Sequence, residues 1–371
     1  MGQDRYSPVT VAFARSPRAP HRFGVIIIIG LMIFACYGAV RVRNGILDCT
    51  VLDQWLKLTP CRAVLASDEG AFRNDVAFSP DSRTLAVAAQ TVTLWDVATG
   101  AYLQTVPLPG DGQPIKVRFS PDGASIAVVG SWGIQVLDVT TMRVRYTLPA
   151  LGVKGVAFSP DGRWLAQSEL VQSGQASFGQ VRIFDANDGR FVRTMPGKYT
   201  LGYYDLYFTP DSHHLLVWIE IPRPSNTRIA RWIWNITNDQ ITEEIGYGDV
   251  SADARLLRLS DGTGTVMALN DSNDQYVVQY TPPHGCPGGW DAAFLSDPDR
   301  LISVSNTYDE ISFALWPSES YTRVCRLTDG QILWESQAQG YCVEVAPNNR
   351  VVAVCEFARV QLWDVPATWN Q

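Results

Sequence analysis

Few residues in this chain have the type and spacing that chemistry needs. Its histidines are His21, His213, His214 and His284. A serine hydrolase places an imidazole beside its nucleophile and an acid behind the imidazole. His213 and His214 instead follow a turn aspartate, Asp211, in register with turn residues such as Arg163, which predicts that they are exposed. His284 stands in the loop 282–289 with no partner near it in sequence. The chain has no Gly-x-Ser-x-Gly elbow, no phosphate-cradling Gly-Lys-Ser loop and no His-Glu-x-x-His motif. The run Asp185-Ala186-Asn187-Asp188-Gly189 looks like the start of a calcium loop. It lacks the downstream bidentate acid and sits where the chain repeatedly turns. None of the seven cysteines forms a Cys-x-x-Cys pair, which argues against structural zinc. Sequence therefore assigns no catalytic residue, no cofactor and no metal.

The elements that would position any site come from an internal repeat, which is the first feature to seek in such a chain. An apolar run, a Ser-Pro-Asp-type turn and a second apolar run recur as VAFSPDSRTLAV from Val76, VRFSPDGASIAV from Val117, VAFSPDGRWLAQ from Val156 and LYFTPDSHHLLV from Leu206. Weaker copies start at Asp249, Ala292 and Val343. The residues before the turns are Phe78, Phe119, Phe158, Phe208, Val250, Phe294 and Val345, spaced by 41, 39, 50, 42, 44 and 51. That period fits a four-stranded propeller blade rather than a helical solenoid. Alternating Val, Ala, Phe and Leu favour half-buried strands. Proline presets the first corner of the turn, aspartate bonds its own backbone, and Gly123 or Gly162 takes the left-handed corner. Each phrase is thus a hairpin of two strands, a and b, counted from the inside outward.

A second signature follows each hairpin, as LWDVATG from Leu94, VLDVTTM from Val136, IFDANDG from Ile183, IWNITND from Ile233 and LWDVPAT from Leu362. It reads as strand c and the turn into an outer strand d. Trp95-Asp96 and Trp363-Asp364 carry the dipeptide that names the WD-repeat family, and over residues 75–371 the chain resembles that family, in the style of its bacterial members with FSPDG turns. The resemblance implies an all-β, seven-bladed propeller of four-stranded antiparallel blades. It also implies that Trp95, Trp234 and Trp363 are core between blades rather than a ligand cage. The family's Gly-His pair before strand a is missing from these repeats, so cohesion is expected to rest on apolar packing.

Ahead of the repeats, residues 23–40 (FGVIIIIGLMIFACYGAV) run without a charge, long enough for a transmembrane helix. Residues 1–22 form a short basic tail and residues 41–50 a juxtamembrane linker. A cleaved leader is the competing reading of the apolar stretch. The first 43 residues carry six arginines (Arg5, Arg15, Arg18, Arg22, Arg41, Arg43) against Asp4, a charge of +5. With a total of −7, that leaves −12 for the rest. So acidic a domain argues against nucleic acid as a partner. The expected location is the cell membrane, single-pass, with the propeller outside the cytoplasm. Six cysteines beyond the apolar stretch are compatible with disulfides there.

The last repeat has no outer strand of its own, and a propeller must hide its edges. Residues 51–66 (VLDQWLKLTPCRAVLA) are apolar enough to supply that strand, making residues 51–371 one domain. From the pre-turn residue to the tryptophan position, most repeats need 17 to 19 residues; the third and fourth need 26 and the sixth 31. The surplus falls between strands b and c, around 172–179, 222–226 and 306–322, all at one end of the blades. Phe178, Tyr308, Trp316 and Tyr321 lie in these loops, joined by Tyr203, Tyr204 and Trp290 from d–a connections. Aromatics on polar loops of a rigid scaffold predict a protein-binding face; the alternative is that the rings pack the loops down. Cys342 and Cys355 flank the last hairpin symmetrically and are the expected disulfide, with Cys49–Cys61 as a second pairing. The sequence thus predicts a membrane-tethered binding or scaffolding module with an unidentified protein partner. The competing class is an extracytoplasmic propeller enzyme, hydrolase or quinoprotein-like, with its site in the central channel.

Overall fold

A Ser-Pro-Asp turn between two apolar runs has few ways to fold, and it folds one way throughout this chain. The computed structural model describes residues 61–66 and 75–369, apart from connecting segments of which 198–205, 281–290 and 308–318 are the longest. The described residues form seven four-stranded antiparallel sheets within one compact unit, Leu47–Gln371. In chain order, the first sheet contains Asp75–Phe78, Thr84–Ala88, Val92–Asp96 and Tyr102–Val106. The second contains Pro114–Phe119, Ser125–Gly130, Gly133–Asp138 and Val144–Leu148. The third has Val156–Phe158, Trp164–Ser173, Ala176–Asp185 and Phe191–Thr194; the fourth Leu206–Phe208, His214–Ile221, Arg228–Asn235 and Ile241–Ile245. The fifth has Gly248–Val250, Leu256–Leu259, Val266–Asn270 and Gln275–Tyr280; the sixth Asp291–Phe294, Arg300–Thr307, Glu319–Arg326 and Ile332–Ser336. The seventh is composite. Gly340–Val345, Val351–Glu356 and Arg359–Asp364 are strands a to c, and its fourth strand is Cys61–Ala66, inside the 51–66 segment.

Burial follows strand position. Strand b of the second sheet (Ser125–Gly130) and of the seventh (Val351–Glu356) is buried at every residue, because neighbouring sheets cover both of its faces. Outer strands are open, with Tyr102, Val144, Phe191 and Ile332 between 43% and 54% exposed. Trp234 and Trp363 are buried in the packing between sheets, while Trp95 is half-buried, its ring edge against Tyr102.

The a–b turns share one geometry. Ser79, Ser120 and Ser159 each donate through the hydroxyl to the turn aspartate, at 2.6, 2.5 and 2.6 Å, and accept the amide of the residue five positions on. Thr209 bonds Asp211 in the same way at 2.6 Å. The left-handed corner falls on Gly123 and Gly162 as expected. Equivalent residues Ser82, Ser212 and Asn349 adopt it without being glycine, at φ of 60°, 63° and 55°. Neighbouring turns interlock: the Ser82 hydroxyl accepts the Asn348 amide and the Ser212 hydroxyl the Asp161 amide, both at 3.0 Å.

The first strands of the sheets lie side by side in chain order from the first to the fourth and from the fifth to the seventh, and the seventh returns to the first. At that seam Ala63 and Leu65 of the closing strand join Val76, Phe78, Leu85 and Val97 of the first sheet in one apolar cluster with Val360 and Leu362. Arg62 pairs with Asp364 and reaches the Val97 carbonyl. The backbone comes so close here that a Cβ on Gly100 would lie 2.4 Å from that of Ala63. Among the described residues no helix is long and apolar enough to cross a membrane, and residues 23–40 lie outside them.

Candidate functional site

Two features stand out against the regular frame: the b–c ends of three sheets, and the channel enclosed by the first strands.

At the b–c ends, the surplus residues of the third sheet extend strands rather than form the long loop expected from their polarity. Pairing continues from Trp164↔Asp185 to Ser173↔Ala176, a ten-residue ladder on each side. Polar residues such as Gln172 and Ser177 read as loop in sequence, yet their backbones pair as part of the ladder. Strands of the fourth sheet pair out to Ile221↔Arg228 and those of the sixth to Thr307↔Glu319, so their extensions are also partly ladder. A buried polar trio roots the third hairpin. Glu169, 4% exposed, forms an ion pair with Arg182 Nε at 2.7 Å and accepts a hydrogen bond from Gln167 Nε2 at 3.1 Å, while Arg182 Nε donates to Gln180 Oε1 at 3.1 Å. Burial pushes the Glu169 carboxyl up from its ordinary value, with Arg182 and Gln167 pulling against that.

Of the aromatics expected on this face, Phe178 and Tyr321 are described. Phe178 is half-buried opposite Val171 on the extended hairpin. Tyr321 pairs with Ser305, and the Arg323 guanidinium lies 4.3 Å from its ring centre. Tyr203, Tyr204, Trp290, Tyr308 and Trp316 lie outside the described residues.

The channel was not legible in the sequence. A cavity of about 520 Å³ is lined by the first strands of six sheets. Its walls are mostly small or apolar (Val76, Ala157, Leu206, Ala292, Ala293, Val343), with four charged residues among them: Asp75, Lys116, Arg118 and Glu344. Asp75 Oδ2 accepts the Val117 amide at 2.8 Å and Arg118 Nη1 at 2.6 Å. Burial pushes the Glu344 carboxyl up to about 7; Arg118 and Lys116 oppose the shift and Asp75 adds to it. The signal lay in the register. One residue before the seven pre-turn positions stand Ala77, Arg118, Ala157, Tyr207, Asp249, Ala293 and Glu344. The alternation of a strand turns this row toward the axis, where Arg118, Ala157, Tyr207, Ala293 and Glu344 line the cavity and Arg118 and Glu344 carry charge.

The two described histidines, His213 and His214, take different places. His213 is exposed, but His214 is 7% exposed and begins strand b of the fourth sheet, aligned with Trp164 rather than with the turn residue Arg163. Asn235 Nδ2 donates to His214 Nε2 at 2.8 Å, and His214 Nδ1 bonds Asp211 Oδ2 at 2.8 Å. The ring ties two turns together where asparagine replaces the repeat's aspartate. Asp185 and Asp188 bond the amides of Asn187 and Arg190 within their own turn. Among the described residues no group of three or more His, Cys, Asp or Glu side chains could hold a metal ion.

Cys342 and Cys355 face each other across strands a and b of the seventh sheet, joined by a disulfide with Cα atoms 5.0 Å apart. Cys61 and Cys325 are also disulfide-bonded, so all four described cysteines are oxidised. Cys49, the expected partner of Cys61, lies outside the described residues.

Four-stranded sheets radiating from a common channel define a β-propeller. No family model matches the chain. The crystal structure of the β-propeller domain of Myceliophteria thermophila Cps50 (Swd1) superposes with a TM-score of 0.62 at 14% identity, covering 82% of this chain and 99% of that one. The WD repeat-containing protein SL1-17 of Schistosoma mansoni is 33% identical over 121 residues, 32% of this chain. The match spans 38% of that protein's length.

Proposed function

We propose that this propeller is a non-catalytic scaffold that binds a protein partner through the extended b–c hairpins of its third, fourth and sixth sheets. It is read as a seven-bladed propeller with repeats of the bacterial FSPDG style, closed by its own leading strand. The observation that carries the reading is the asymmetry of the disc: sequence surplus collects at one end of the sheets, while the other end keeps one turn design. Propellers with WD-type repeats generally serve as protein-interaction platforms, and a rigid frame bearing variable projections suits that task.

The chain is further read as tethered to a membrane by residues 23–40, with the propeller on the extracytoplasmic side. The apolar stretch supports the tether. The oxidised state of Cys61, Cys325, Cys342 and Cys355 supports an oxidising compartment.

The test is differential capture with the full chain extracted from membranes in detergent. One variant replaces residues 307–319 by an Asn-Gly turn after the Asn306↔Ser320 pair, and a second does the same for 172–177 after Val171↔Phe178. Arg83→Ala and Arg163→Ala at the opposite end serve as controls. A protein co-purified by the wild type and both controls but lost from either trimmed form is the expected result. Equal capture by all five proteins removes the hairpin end as the binding face.

A further inference from the structure

The two halves of the Cys342–Cys355 disulfide stand in different surroundings. The pair bridges strands a and b of the seventh sheet with Cα atoms 5.0 Å apart, a separation that suits the bond. Cys355 is 1% exposed, held among Ala353, Val360 and Leu362. Cys342 is half-buried; it packs against that cluster and also lines the channel cavity. Cys61 and Cys325 are disulfide-bonded too, yet they are 6% and 1% exposed and stand outside the cavity lining. Among the described cysteines, Cys342 alone combines partial exposure with a place on the channel wall.

Thiol–disulfide exchange is sensitive to that difference. A thiolate attacks one sulfur of a disulfide and expels the other, and the reaction is selective for the sulfur it can reach. The cavity, about 520 Å³, falls in the range of small-molecule sites. Its lining carries both signs of charge, Lys116 and Arg118 with Asp75 and Glu344, which suits a small zwitterion better than a fatty thiol. Attack at Cys342 releases the Cys355 sulfur among apolar side chains. A charge is costly there, so the sulfur takes up a proton and becomes a weak nucleophile. The new bond at Cys342 is therefore not reversed at once.

We propose that Cys342 is a thiol-exchange site in the channel, where a low-molecular-weight thiol is taken up as a mixed disulfide. The thiolate of the small molecule forms an S–S bond to the Cys342 sulfur. The Cys342–Cys355 bond breaks, and its electron pair leaves with Cys355, which takes a proton from water. One disulfide replaces another and one thiol replaces another, so no separate oxidant or reductant is consumed. The bound molecule then occupies the channel, while strands a and b remain paired through Val343↔Val354 and Val345↔Val352. The site is separate from the b–c hairpins, so trimming them leaves it intact and the two readings fail independently.

The experiment exposes the folded full chain in detergent to glutathione at about pH 8, where a useful share of the small thiol is ionised. Acid stops the exchange at successive times, and peptide mass spectrometry maps the adduct. A second series uses glutathione coupled through its amine to dextran, and both series are repeated on the chain unfolded in guanidinium. In the folded chain, glutathione is expected on Cys342 about tenfold or more ahead of Cys355, Cys61 and Cys325. Relative to the unfolded chain, free glutathione is expected to outpace the dextran form by a similar factor. First loading of another cysteine overturns the proposal, as does loading of Cys342 only after unfolding. Equal relative rates for the free and dextran-bound thiols also overturn it, because the channel is then not the route.

Discussion

At one end of the sheets the a–b turns are built alike; at the other, neighbouring b–c hairpins differ in length and state. Gly130 pairs directly with Gly133 in the second sheet, whereas the third runs its hairpin ten residues on each strand. The difference is mechanical. Turns at the a–b end bond their neighbours through Ser82–Asn348 and Ser212–Asp161, so a length change in one disturbs the next. A b–c hairpin ends beyond the packed core, and lengthening a connection there costs little free energy. Sequence variation is confined where it is severe for the fold and accumulates where it is cheap, and the cheap end is where recognition can be built.

The comparison is broken most severely by attacking the frame. Leu65, 2% exposed, sits where the closing strand meets the first sheet. Leu65→Ala is expected to lower stability by about 2–5 kcal/mol in denaturant unfolding, with the hairpins untouched. A loss under 1 kcal/mol means that the seam does not hold the ring.

A smaller effect comes from the turn acids. A hydrogen bond from Ser79 holds the Asp81 carboxyl below its ordinary value of 3.8, and Ser120 does the same for Asp122. A depressed folded-state value stabilises the fold above the unfolded value, and the benefit disappears as pH falls through the lower, folded one. The thermal midpoint is therefore expected to fall on acidification below about pH 4, and Ser120→Ala to make that fall shallower. The Ser120→Ala loss at neutral pH is about 1 kcal/mol, since one hydroxyl serves both Asp122 and the Ser125 amide.

The smallest effect sharpens the contrast from the other side. Trimming 172–177 leaves the Glu169–Arg182 pair and the packed strands in place, so stability is expected to change by less than about 0.5 kcal/mol. A loss as large as that of Leu65→Ala would make the hairpin part of the frame.

How much of this was readable depends on whether the cause is local. The Ser-Pro-Asp turns were, because serine, proline and aspartate act within five residues of chain. Cys342 and Cys355 were placed across from each other by symmetry about one such turn. The closing strand was legible only as a requirement, an edge left open and an apolar segment left over. The third hairpin misled because alternating polar residues signal loop wherever a sheet leaves the core. His214 misled because one residue separates an exposed turn from a buried strand. The channel site stayed hidden because Glu344, Arg118 and Asp75 lie on three sheets, each unremarkable in its own repeat. Only alignment on the pre-turn residues puts Arg118 and Glu344 in one row, with Asp75 two residues ahead of that row on its own strand.

The division between the two ends is tested most directly by hydrogen–deuterium exchange on the full chain, free and in the complex recovered by capture. The account predicts added protection in the hairpins joining Trp164–Ser173 to Ala176–Asp185, His214–Ile221 to Arg228–Asn235 and Arg300–Thr307 to Glu319–Arg326. The a–b turns at 79–83, 120–124 and 159–163 are predicted to exchange unchanged. Protection confined to those turns, with the hairpins unaltered, would contradict it.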